Sequence, residues 1–122
     1  MNLKQWSFDR IRAFLHAFRG IQSTWKSEFH FRFHVLMALI ALGLGFLFEL
    51  KNWEWCVILI CIGTVMSLEC VNAALEKLCD HINPDIHPTI KMVKDMAAAG
   101  VLISSITALI CGFIIFIPHI NP

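Results

Sequence analysis

Residues 53–80, WEWCVILICIGTVMSLECVNAALEKLCD, begin as an apolar run and end as something else. Cys56 to Leu68 contain no Asp, Glu, Lys, Arg or His, and then Glu69, Asn72, Glu76 and Asp80 follow within twelve positions. At the helical period these four and Asn83 fall within an arc of about 80°, one polar stripe on an apolar rod. Such a stripe needs a partner surface or a ligand. Counted inward from Trp55, Glu69 lies ~21 Å deep and Glu76 ~31 Å, against a hydrocarbon thickness of about 30 Å. Glu69 is therefore expected inside the bilayer and Glu76 at its far edge. A carboxylate at the depth of Glu69 costs roughly 2.5–3.5 kcal/mol on insertion scales, which makes it a functional group before anything else.

Two further runs match the first in length, FRFHVLMALIALGLGFLFEL (31–50) and MAAAGVLISSITALICGFIIFI (96–117). Crossing the hydrocarbon takes about 20 helical residues, so three transmembrane helices are expected, over 31–50, 53–78 and 88–117. The third starts early because Asn83-Pro84 and His87-Pro88 break the preceding helix and place Pro88 in a first helical turn. Of the 122 residues, 57% are hydrophobic and 16% charged, more apolar than a soluble domain. The spread of basic residues, net charge +1, and the lack of any nucleic-acid-reading motif exclude nucleic acid as a partner. Five cysteines, odd in number and without a CxxC pair, are read as reduced packing residues.

Ahead of the first span, Phe8, Ile11, Phe14, Leu15, Phe18, Ile21, Trp25 and Phe29 recur every three or four positions, opposite Arg12, His16, Arg19, Ser23 and Lys26. This predicts an amphipathic surface helix over 6–29, lying in the headgroup layer. One domain, 1–122, suffices. Basic residues crowd the N-terminal segment and the loop between the second and third spans, only Lys51 lies in the other turn, and none follows the third span. The N-terminus is thus expected in the cytoplasm and the C-terminus outside, with Trp25 at the inner interface and Trp53 and Trp55 at the outer one.

Near the cytoplasmic end of the third span, Lys91, Lys94, Asp95 and Ala98 share one side, with Lys94 and Asp95 level with Glu76. Glu28 adds a third carboxylate at the same boundary. A cation beside hard oxygen ligands at a water-facing edge suits Mg²⁺ together with nucleotide phosphates. Glu69 and Glu76 stand ~10 Å apart along their helix, too far to grip one ion together. No glycine pattern builds a P-loop or a dinucleotide turn. His30 and His34, four apart, offer a zinc pair, but no HExxH accompanies them.

The run ECVNAALEKLCDHINPDIHPTIKMVKDMAAAGVLI resembles the ExxNxAxE…D…KDxxxAAVLI core of the small bacterial membrane kinases that phosphorylate diacylglycerol or undecaprenol. Through AFRGIQSTWKSEFHFRFH the resemblance extends over about residues 8 to 117. It implies a homotrimer of three-helix subunits, all-α, in the bacterial inner membrane, transferring the γ-phosphate of MgATP to a lipid hydroxyl. By motif position, Glu69 matches the catalytic base and Glu28 and Glu76 the metal-binding carboxylates. Asn72, Lys94 and Asp95 match other polar site positions, Asp85 and His87 the nucleotide-contacting loop, and the family's N-terminal arginine falls on Arg10 or Arg12. His16 stands where a tyrosine is expected and belongs to the nucleotide side, while Trp25 and Ala98 border the lipid. Ala98 replaces a serine of the diacylglycerol kinase pattern, and INPDIHP is more like the undecaprenol kinase branch, so the resemblance implies undecaprenol or diacylglycerol as the lipid, with a lean to undecaprenol. An alternative is a proton-relay transporter or channel subunit working through Glu69. It predicts deep polar groups in several helices, whereas Val35 to Phe48 hold no ionisable side chain and Met96 to Ile117 only Ser104, Ser105 and Thr107. A mere membrane anchor leaves Glu28, Glu76, Lys94 and Asp95 at one level unexplained.

Overall fold

A computed structural model describes residues 3–85 and 87–121 and shows four helices in sequence. These are α1 (Leu3–Ser27), α2 (Phe29–Leu47), α3 (Asn52–Ile82) and α4 (Pro88–Ile120). Among the described residues there is no strand. α2, α3 and α4 are each long and apolar enough to cross a membrane. The fold is thus the all-α one expected, three spans preceded by an amphipathic helix.

Length separates the spans. With 19 residues α2 covers ~29 Å, close to the hydrocarbon thickness. The 31 residues of α3 and 33 of α4 cover ~47 and ~50 Å, so both overrun it. The surplus on α3 carries Glu76 and Asp80, and that on α4 carries Lys91, Lys94 and Asp95. Both surpluses lie beside the loop that joins the two helices.

Each break in the chain has a local cause. α1 ends at Glu28, whose extended backbone (φ −109°, ψ 116°) interrupts an otherwise continuous helical stretch. Arg32, from the first turn of α2, reaches back so that Nη1 donates to the carbonyl of Trp25 at 2.8 Å, capping α1 with a cation where the helix dipole favours one. Between α2 and α3, the N–H of Leu50 donates to the Gly45 carbonyl and that of Glu49 to Phe46. This is the paired pattern of a Schellman ending, and it puts Glu49 in the left-handed region at φ 50°. Three residues into α3, Glu54 accepts from the Lys51 N–H at 2.7 Å and so closes the new helix N-terminus. At the opposite end Asn83 Oδ1 accepts from the Asp85 N–H, His87 Nδ1 accepts from the Thr89 N–H, and Pro88 opens α4.

The most extensive packing joins α3 to α4, α2 leans on α3, and α1 touches α2 and α3 only lightly. Leu50, Ile58 and Ile115 form the buried core at the α2–α3 turn, enclosed by Phe48, Trp55, Ile62 and Phe116. His119 stacks on Phe48 and pairs with the buried Glu54 at 3.1 Å, tying the end of α4 to this turn. Toward the other end polar pairs join the packing, Glu69 with His34 and Asp80 with Lys94.

Candidate active site

The polar stripe of α3 faces inward where α2 begins. Glu69 is 4% exposed, and its Oε1 lies 3.2 Å from Nε2 of His34 on α2. One turn further along α3, Asn72 Nδ2 donates to Glu76 Oε1 at 3.2 Å. The other polar atom of Asn72, Oδ1, is buried with no hydrogen-bond partner. Buried acceptors are rarely left so, and an unpaired one points to a missing donor or cation.

Glu28, at the α1–α2 junction, is held over the same region by α3. Lys77 Nζ donates to Glu28 Oε1 at 2.9 Å and to Ser27 Oγ at 2.7 Å. Ser27 Oγ in turn donates to Glu28 Oε1 at 2.8 Å. These two hydrogen bonds, that of Lys77 foremost, hold the Glu28 carboxyl below its usual range. Glu28, Glu76, His30 and His34 all lie within electrostatic reach of Glu69. Two of the carboxylates picked out by motif, Glu28 at the α1–α2 junction and Glu76 on α3, are thus on the same side of the chain as the third, Glu69, though no contact joins the three.

Other expected positions are placed differently. Lys94 is within electrostatic reach of Glu76, but its ammonium donates to Asp80 at 2.8 Å. Asp80, a member of the polar stripe, thus partners the cation. Asp95 is exposed and paired with Lys91 at 2.6 Å. Asp85 lies in the exposed loop and His87 caps α4. Trp25 and Ala98 are exposed. Arg10 stacks over Trp6, 4.9 Å from the ring centroid, and His16 is exposed further along α1. Along α1, Arg10 is ~26 Å and His16 ~17 Å from Ser27, far beyond what either side chain can span within this chain.

Whether a divalent ion fits can be judged from the donors. Among the described residues no three His, Cys, Asp or Glu side chains converge on one point. Mg²⁺ does not need them, since it binds through one or two carboxylates and keeps its other positions for water and phosphate. Glu28, Glu76 and the orphaned Asn72 Oδ1 are hard oxygen donors, so the chemistry of this corner suits the ion. His30 is exposed and His34 faces Glu69, so the two do not act as a histidine pair. Sequence reading missed His34, Lys77 and Asp80 as partners of the site. Only the i, i+4 spacing of His30 and His34 drew notice, and it suggested another chemistry.

The family model for prokaryotic diacylglycerol kinase matches residues 15–116. The chain is 40% identical to an undecaprenol kinase of Bacillus subtilis over 110 residues, 90% of this chain and 89% of the relative. It is 30% identical to a diacylglycerol kinase of Helicobacter pylori, covering 81% and 78% of the two chains. To a diacylglycerol kinase of Escherichia coli it is 28% identical, covering 89% of each.

Proposed function

Since the chain belongs to the prokaryotic diacylglycerol kinase family, we propose that it is a lipid kinase of the bacterial inner membrane that transfers the γ-phosphate of MgATP to a membrane lipid hydroxyl. One observation carries this reading. A carboxylate buried at hydrocarbon depth, Glu69, sits within electrostatic reach of two carboxylates at the water edge, Glu28 and Glu76. A lipid hydroxyl approaches from the membrane and a nucleotide from water, and this corner is where the two routes meet.

In this reading Glu69 takes the proton from the lipid hydroxyl as its oxygen attacks phosphorus. Geometry supports the role, because Glu69 is sheltered from bulk water, whose hydroxyl would otherwise compete for the phosphoryl group. Glu28, Glu76 and Asn72 Oδ1 would hold Mg²⁺, which neutralises charge on the transferring phosphates. Lys94, close to Glu76, supplies a further positive charge, with Asp95, Asp85, His87, His16 and Arg10 or Arg12 on the nucleotide side. The loop joining α3 to α4 faces the cytoplasm, where ATP is, as the basic residues around α1 and that loop imply. The functional unit is a homotrimer, which brings the arginines of α1 to sites they cannot reach within one chain.

Undecaprenol is the favoured lipid. The 40% identity is to a protein named undecaprenol kinase, against 28–30% for proteins named diacylglycerol kinase. A proton-relay role has to bridge the stretch from Glu54 to Glu69, ~22 Å of α3 with no charged side chain between, and so finds less support. The test is MgATP-dependent phosphate transfer to undecaprenol and to diacylglycerol, side by side in mixed micelles, with Glu69→Gln as control. Transfer should be faster to undecaprenol and fall by about 100-fold or more in the variant. Absence of transfer to either lipid would overturn the reading.

A further inference from the structure

His34 lies on α2, ~7 Å past its start, with its side chain 19% exposed against 5% for Glu69. Their contact at 3.2 Å joins α2 to α3. Glu69 has no second ion-pair or hydrogen-bond partner among the described residues. A carboxylate oxygen accepts and a ring N–H donates, so in this contact Nε2–H of His34 donates to Oε1 of Glu69. Such catalytic contacts are commonly long before substrate binds and shorten in the reacting complex.

We propose that His34 is a positioning residue for phosphoryl transfer, holding Oε1 of Glu69 through Nε2–H so that the second carboxylate oxygen points at the lipid hydroxyl. This rests on the reading of Glu69 as the base. In the step it serves, the lipid O–H bond breaks and its proton goes to the free oxygen of Glu69. The lipid oxygen bonds to the γ-phosphorus, and the bond from that phosphorus to the bridging oxygen breaks, leaving ADP. The proton on Glu69 passes to water after the phospholipid departs. Throughout, the imidazole keeps its own proton and holds the carboxylate in one rotamer.

Leucine at position 34 removes the donor while keeping an apolar-compatible side chain, and glutamine restores an N–H donor that does not titrate. Expected for His34→Leu is a fall in kcat of about 10- to 100-fold, the scale on which misplacing a reacting group is felt. KM for MgATP and for lipid should stay within about two-fold, because ground-state binding is untouched. His34→Gln should recover most of kcat. Unchanged kcat in His34→Leu, a loss confined to KM, or equal loss in His34→Gln would each overturn the proposal. If His34→Leu does not stay folded in micelles, His34→Ala with added imidazole takes its place, and failure of imidazole to raise kcat overturns it as well. Glu69→Gln separates the two levels. An active Glu69→Gln removes the base itself, whereas an inactive Glu69→Gln beside a fully active His34→Leu removes only the role of His34.

Discussion

Lys77 occupies the carboxylate that is proposed to bind metal. Its ammonium, 2.9 Å from Glu28 Oε1, is a cation already in place, and with Ser27 it holds the Glu28 carboxyl below the ordinary value of 4.5. A folded-state pKa that is depressed adds stability above the unfolded value, and that stability is lost as pH falls through the folded one. The α1–α3 junction should therefore hold at neutral pH and weaken only below about pH 4.5. In Lys77→Met the drop in thermal midpoint between about pH 7 and about pH 3 should be smaller than in wild type, because one source of the difference is gone. An equal drop in both proteins would show that the pair does nothing for the fold. At this scale the sequence is legible where a charge stands out against lipid, as at Glu69 and Glu76. It is silent on His34, since the axial register of α2 against α3 is set by packing and leaves no periodic trace in either segment. Asp80 escaped for the same reason, its partner Lys94 being fourteen positions away on another helix.

At the scale of elements, the α2–α3 turn holds the buried core of the chain. The apolar run of α2 continues to Leu50, yet the helix closes at Leu47, because Phe48, Glu49 and Leu50 turn back through the left-handed Glu49 to bury Leu50 beside Ile58 and Ile115. Hydropathy cannot show this, for a residue buried in a turn reads the same as one in a span. Gly45 is what lets the second helix come close. A Cβ there would meet the Trp55 ring at 2.7 and 3.0 Å and Leu50 Cδ1 at 3.2 Å. The indole cannot move aside easily, since Trp55 belongs to the shell around that core. Gly45→Ala should destabilise the bundle by about 1–3 kcal/mol, the range for overpacked cores, although alanine is the better helix former. Unfolding in detergent measures this, with Gly43→Ala as control, where a Cβ meets nothing within 4 Å and no loss is expected. Equal midpoints for the two variants would mean that the turn is looser than its contacts imply.

For the whole molecule, the proposed homotrimer predicts a site completed by a neighbouring chain. Few side chains of each span are buried within one chain, Asp95 is paired with Lys91, and Arg10 stands ~26 Å from Ser27 along a single unbroken helix. Three spans and a surface helix were legible because bilayer thickness dictates helix length. How chains pack together was not, because a lipid-facing and a subunit-facing apolar residue are chosen by similar physics. In a cyclic trimer, α1 of one subunit can lie over the Glu69 corner of the next. Mixing two inactive variants tests this. One chain carries Glu69→Gln, and the other Arg10→Ala with Arg12→Ala, which covers either arginine. If the base and the arginine come from neighbouring chains, random equal mixing joins an intact base to an intact arginine in about a quarter of sites, and a matching share of wild-type activity returns. Mixing of inactive variants with no recovery would place both groups in one chain, which requires α1 to bend sharply between Arg10 and Ser27. Full activity of the double arginine variant alone would remove both arginines of α1 from nucleotide binding.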